Sequence, residues 1–429
     1  MIHKKFLDNL KRFDPELCGI LEDSLKRQLN TLSLIPTTNA ISPFAAYLKG
    51  STLGNDFLDY HAAEHHSRLE KLAIKRMCSL YGAEHAIVRT GSLVAASRVV
   101  MLGLLKSGDT VLSFNRRKEE HCTGDLMQYK FVKFGLEADS LRLNFDKIKK
   151  LAQEQRPKMI ICSPVNYSYN IDYAELRKIA DEVGAYLWID LGQNSGLVAA
   201  KKIPSPVPFA DVATFAASDA LHGPQNGIIL CRKTLAETLD QAVIDTGHVS
   251  LKKNVLASID IALSEATCEE FSDYAEQVLK NARALERGLK KASCKVLCSP
   301  TENHLVLLSV PEEQDGEALA QKLEEAGLLV KPEKLYTADE NISFSILRLS
   351  SLDATTRSLD EWDMEKIGAN LGEFLRSPQD SAAIKSLQKT IKKLVEHLPL
   401  FAEDWLPELE TVSDADSHLT MNAMINWRV

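Results

Sequence analysis

The sequence predicts an α/β fold: a large domain built on a mostly parallel sheet, followed by a smaller α+β C-terminal domain. Three observations carry the prediction. Short apolar segments rich in β-branched and aromatic residues alternate with amphipathic ones; one β-α-β unit is specified from cap to cap; and the alternation changes character near residue 270. Continuous apolar runs are what the strands of a parallel sheet need when both faces are covered.

The elements follow in chain order. Residues 1–35 read as one or two amphipathic helices, an arm ahead of the main domain. In EHHSRLEKLAIKRMCSLY (64–81), Leu69, Ala73, Met77 and Leu80 share one helical stripe, and Gly82 is placed to end the helix. GDTVLSF (108–114), KMIICS (158–163), AYLWIDL (185–191) and DVATFAA (211–217) read as buried strands. Between the second and third lies DYAELRKIADEVG, with Asp172 as N-cap, an apolar face of Leu176, Ile179, Ala180 and Val183, and Gly184 as terminator. The crossover it makes is expected to be right-handed. Beyond residue 270 come a long polar helix, strands KVLCS (295–299) and HLVLLSV (304–310), and a helix near 315–326. The strand FSILRLS (344–350) and two C-terminal helices complete the chain. The expected domains are a helical arm over 1–35, a large α/β domain over 36–269 and a small α+β domain over 270–429.

Composition removes several function classes. A net charge of -8 argues against a broad nucleic-acid surface or a surface for anionic membranes. The eight cysteines form no C-x-x-C pair, and several sit in apolar runs, which fits reduced, buried thiols. Charges interrupt every apolar cluster of the N-terminus, and no segment has the apolar length of a membrane span, so a cytoplasmic protein is expected. No metal site is predicted: His65 and His66 are adjacent and would point apart on a helix, and His121 with Cys122 is too isolated for zinc.

Ligands of open parallel sheets sit at the carboxyl ends of the strands. Asp190 ends AYLWID, His121 follows the 108–114 strand, Gly91-Ser92 opens the helix SLVAASRVVMLGLL, and Ser218-Asp219 follows DVATFAA. A strand-end carboxylate can hold a pyridinium nitrogen protonated, a histidine can stack on such a ring, and a Gly-Ser turn at a helix start can offer N–H groups to a phosphate.

The order of these residues carries a resemblance to the serine hydroxymethyltransferase family, fold-type-I pyridoxal-phosphate enzymes with an aminotransferase-like large domain. The matching segments are LEKLAIKRMCSLYGAEHAIV, LLKSGDTVLSFN, RPKMIICSPVNYS, IADEVGAYLWIDLGQNSGLVAA, IPSPVPFADVATF, HGPQNGIILCRK and TENHLVLLSV. The resemblance implies that Asp190 meets the pyridine nitrogen, His121 stacks on the ring, and Ser92 with Gly91 contacts the phosphate. It implies that Arg348 grips an amino-acid carboxylate, that Tyr167 and Ser168 keep an active-site pair, and that Asn303 and His304 are structural.

The departures concern chemistry. The family's T-H-K-T-L-x-G-P-R-G-G is here ASDALHGPQNG, Ala217 to Gly227. The Schiff-base lysine becomes Asp219, its histidine neighbour Ser218, and the arginine after Gly-Pro becomes Gln225. Thr38 stands where the family has a proton-transferring glutamate, and Gln193 where it has the histidine of M-A-H. The tyrosine-rich loop is reduced to GNDFLDYHA with Tyr60, and the G-G-Q-G-G loop to Thr246–Ser250. A carboxylate cannot condense with an aldehyde. Lys201, Lys202, Lys252 and Lys253 fall on predicted surface turns or helix starts and do not replace the missing amine. The expectation is a homologue with no catalytic residue intact and no covalently bound cofactor, still open to pyridoxal or pyridoxamine phosphate held non-covalently. It would be a homodimer, with an active paralogue as a further candidate partner. Three classes of function stand against one another: a non-catalytic binding, scaffolding or regulatory protein; a lysine-independent enzyme using pyridoxamine phosphate or a preformed pyridoxal–amino-acid adduct; and ordinary folate-dependent serine–glycine interconversion.

Overall fold

The chain begins with two helices, Lys4–Phe13 and Pro15–Asn30, the second capped by the Asp14 carboxylate accepting from Leu17 N at 2.9 Å. The computed structural model describes residues 4–55, 60–114, 128–248, 251–339 and 342–407. The short strand β1 (Leu32–Ser33) follows the two helices. The next seven are β2 (His85–Thr90), β3 (Thr110–Phe114), β4 (Lys130–Phe134), β5 (Met159–Cys162), β6 (Tyr186–Gly192), β7 (Val212–Ala216) and β8 (Gly227–Cys231). They form one sheet in the order β2-β8-β7-β6-β5-β3-β4. β8 runs antiparallel to both its neighbours, and every other pairing in the sheet is parallel.

Both faces of this sheet are covered, as the apolar runs require. Leu187 and Ile189 of β6 pack on one side with the helices Phe145–Gln155 and Tyr173–Val183, while Trp188 packs on the other with Leu93–Leu104 and Lys233–Asp245. The β-α-β unit has the expected caps: Asp172 accepts from Glu175 N at 3.1 Å, and Gly184 closes the helix at φ +68°. Strand ends differ from the sequence reading by one or two residues. Three strands of this sheet lie outside that reading. β4, KFVKF, pairs only with β3 at the sheet edge, where Lys130 and Lys133 are tolerated and break the apolar run. β2 carries Arg89, paired with Glu70 at 2.5 Å, inside its apolar stretch, and β8 follows directly on the 217–227 turn.

The C-terminal part adds β9 (Val296–Leu297), β10 (Leu305–Ser309), β11 (Leu328–Leu329), β12 (Lys331–Tyr336) and β13 (Ser343–Ser350). Four of them form an antiparallel sheet, β12-β13-β10-β9, while β11 pairs in parallel with β1. β12 also escaped the sequence pattern. It is an edge strand, where Pro332 and three charged residues carry little penalty. The end of the N-terminal arm is tied into this region, because Leu32 and Leu34 share a core with Leu347 and Leu349. The helix Glu269–Lys291 serves two cores: Phe271, Tyr274 and Val278 join the one containing Phe215, and Ala282, Leu285 and Leu289 join the C-terminal one. It crosses the helix Glu361–Arg376 at glycines. A Cβ on Gly288 would stand 2.0 Å from Glu365 O, and one on Gly368 2.5 Å from Leu285 O. No helix among the described residues is long and apolar enough to cross a membrane.

Candidate functional site

Because β8 is antiparallel to both β2 and β7, those two strands run the same way, and β6, β5 and β3 follow them. Their carboxyl ends therefore lie at one edge, where β8 begins: Thr90 and Ala216 both pair with Gly227. Topology thus gathers Gly91-Ser92, Ser218-Asp219, Asp190 and Ser163 at the edge where α/β sheets place ligands. A Cβ on Gly227 would lie 2.2 Å from Ser92 O, so the start of β8 and the turn after β2 touch closely enough to demand glycine.

Asp190 is buried, with 1% of its surface exposed. Ser163 Oγ, just beyond β5, donates to its Oδ2 at 3.0 Å, and Gly192 N donates to its Oδ1 at 3.1 Å. A register irregularity between Asp190 and Gly192 produces the second bond by turning the backbone back on the carboxylate. The side chain is oriented through both oxygens.

Asp219 opens a single 3-10 turn, Asp219–Leu221, at φ +58°, a left-handed conformation that aspartate visits more readily than most residues. Its backbone carbonyl accepts from Asn39 Nδ2 at 2.8 Å. Burial pushes its carboxyl up to about 7, against the opposing pull of a hydrogen bond from Ser218 and the positive charge of Arg348. The same turn carries His222, also at positive φ, with Nδ1 2.9 Å from Ala40 O and its ring against Tyr274 and Phe401. Burial drives that histidine down to about 4, leaving it a neutral packing residue near neutral pH.

Ser92 caps the helix Leu93–Leu104, its hydroxyl accepting from Ala95 N at 3.1 Å, and Gly91 beside it is exposed. Thr38 is exposed, and its hydroxyl bonds locally to Ser33 Oγ and to Ile35 O. Asn303 and His304 do structural work: Asn303 Nδ2 donates to Tyr167 O at 3.0 Å, and His304 Nδ1 meets Ser350 Oγ at 2.9 Å with the ring buried. Ser168 Oγ donates to Cys298 O at 2.8 Å, and the ring of Tyr167 sits buried against Phe114. Lys202 pairs with Glu276 at 3.0 Å on the surface. His121, Val249, Ser250 and the side chain of Tyr60 lie outside the described residues.

Arg348, on β13, is buried at 3% exposure, yet it reaches the large sheet. Its Nη2 donates to Gln193 Oε1, in the turn after β6, at 2.7 Å, while Nη1 stands 3.4 Å from Glu333 Oε1 on β12. These residues border a cleft of about 650 Å³ between the two sheets, walled by Phe114, Ser163 and Gln193 on one side and Lys331, Glu333 and Arg348 on the other. Ser163 and Glu333 were not singled out in the sequence. Ser163 could have been, since it stands directly after an apolar strand; Glu333 gave no signal in a stretch as charged as KPEKL.

A pyridoxal group at this edge would require a carboxylate for its ring nitrogen, donors for its phosphate and an amine for its aldehyde. Asp190 meets the first requirement and the N-terminus of the helix Leu93–Leu104 can meet the second. At the position expected to supply the third stands Asp219, itself tending to hold a proton. The turn after β7 thus offers an aldehyde a carboxyl group, with no amine at that position to condense with it. A family model, serine hydroxymethyltransferase, matches residues 10–371.

Proposed function

The chain belongs to the serine hydroxymethyltransferase family, and from that premise we propose that it is a non-catalytic binding or regulatory member of that pyridoxal-phosphate-dependent transferase family. One observation carries the reading. Asp219, in the turn after β7 where the family chemistry needs an amine, is a carboxylic acid built into the fold, its carbonyl held by Asn39 and its side chain by Ser218. No small adjustment turns an acid into a nucleophile for an aldehyde. Thr38 adds to the argument, since an exposed hydroxyl bonded to Ile35 O cannot carry out a glutamate's proton transfer. The proposed protein is cytoplasmic, a homodimer as family members generally are, with an active paralogue as a candidate partner.

The test is covalent chemistry and turnover in the same preparation. Purified protein incubated with stoichiometric pyridoxal phosphate and reduced with borohydride should keep its unmodified mass, and should form no glycine from serine with tetrahydrofolate. The Asp219→Lys variant should gain cofactor mass without turnover, because Thr38 and Gln193 remain. Folate-dependent glycine formation by the wild type, or its full appearance in Asp219→Lys, would overturn the proposal.

A second reading rests on Asp190. A buried carboxylate oriented by two hydrogen bonds is what a pyridoxamine-type ring would use, and such a cofactor needs no lysine. Pyridoxamine phosphate binding that disappears in Asp190→Ala and weakens in His121→Ala would favour it. Equal affinity in the wild type and both variants would remove it.

A further inference from the structure

The cleft between the sheets contains a buried guanidinium whose anion is already present. Arg348 Nη1 lies 3.4 Å from Glu333 Oε1, and Lys331 Nζ lies 3.0 Å from the same oxygen. The register explains the arrangement. Lys331 is directly opposite Arg348 across the β12–β13 pair, a juxtaposition of like charges, and Glu333 is two residues further along the same face of β12. The Glu333 carboxylate bridges the two cations. Burial alone would raise it, but Arg348, with Lys331 and a hydrogen bond from Asn166, holds it below the usual carboxylate range. Gln193 takes the second arm of Arg348 with a neutral oxygen.

We propose that Glu333 is an internal occupant of the anion position in this cleft, and that it sets the specificity of the site by excluding ligands that bear a free carboxylate, amino acids among them. This rests on the non-catalytic reading and deepens it. An incoming carboxylate must compete with one tethered on the adjacent strand, at an effective concentration of about millimolar or higher. It must also approach the displaced Glu333 charge, so rejection is built from repulsion as well as occupancy. A ligand of this cleft is accordingly neutral where it faces Arg348.

The test uses the full-length protein and calorimetric titration with acetate, glycine and L-serine, with ethanolamine as a probe that has the amine without the carboxylate. The wild type should show no saturable binding of the three carboxylates. Glu333→Gln keeps the shape and removes the charge, and should bind them at least about tenfold more tightly. Adding Arg348→Gln to that variant should abolish the gain, and ethanolamine, which lacks the carboxylate, should gain no affinity in any of the variants. Glu333→Asp, which retracts the charge by one methylene, should give an intermediate gain and answers the question if Glu333→Gln does not fold. Carboxylate affinity unchanged in both Glu333 variants, or already present in the wild type, would sink the inference. Serine–glycine turnover by the wild type would instead sink the functional reading on which it rests.

Discussion

Asp219 is the residue at which the fold and the lost chemistry meet, and its protonation gives a direct readout. Its carboxyl is raised from an ordinary value of 3.8 to about 7 by burial. Between those values the folded protein holds a proton that the unfolded chain releases, so this group lowers stability progressively as pH rises from about 4 to about 7. Above that range the penalty is complete, and below it the penalty is absent. Asp219→Asn should therefore be more stable than the wild type at pH 8 by about 1–3 kcal/mol, with the difference vanishing by pH 4. Urea denaturation of both proteins at the two pH values checks it; a constant difference would mean that the carboxyl is not titrating in the fold. The sequence disclosed Asp190 and Asp219 because each ends an apolar strand, a place where a carboxylate stands out. It concealed Glu333, whose neighbours are also charged and whose meaning depends on register with Arg348, 15 residues on in the adjacent strand. Arg348 was legible only through the family resemblance, and its partners Gln193 and Glu333 come from the turn after β6 and from β12.

Among the elements, those whose hydrophobic pattern coincides with a single environment were legible. The β-α-β unit is the clearest case, with Asp172 and Gly184 capping one helix as the chain alone suggests. Edge strands β4 and β12 were not, because a strand paired on one side can carry lysine, glutamate and proline without losing its ladder. The crossing of Glu269–Lys291 with Glu361–Arg376 was equally silent, since a glycine within a helix does not reveal what approaches it. The packing makes it testable. A methyl group on Gly288 would collide with the backbone carbonyl of Glu365, which cannot rotate away as a side chain can. Gly288→Ala should therefore destabilise the protein by about 1–3 kcal/mol, despite the better helix propensity of alanine. Thermal denaturation beside Gly19→Ala, whose site has nothing within 4 Å, separates the contact from the propensity. A neutral effect at Gly288 would show that the helices can move apart.

For the whole molecule, the family's oligomeric habit supports a dimer. Leu72, Val94, Leu102 and Ile244 remain among the exposed large apolar residues, on helices flanking the large sheet. Sedimentation at micromolar concentration should give a dimer mass; a monomer alone would contradict the assignment. The helix Glu269–Lys291 also has a mechanical consequence. A continuous rod anchored in both cores is a stiff joint, unlike the loop of a few residues on which clamshell proteins swing. The Gln193–Arg348 hydrogen bond ties β13 to the turn after β6 across the cleft. Such a pocket is a fixed mould rather than a jaw. A mould sorts its guests by its walls, here by the charges already facing the opening.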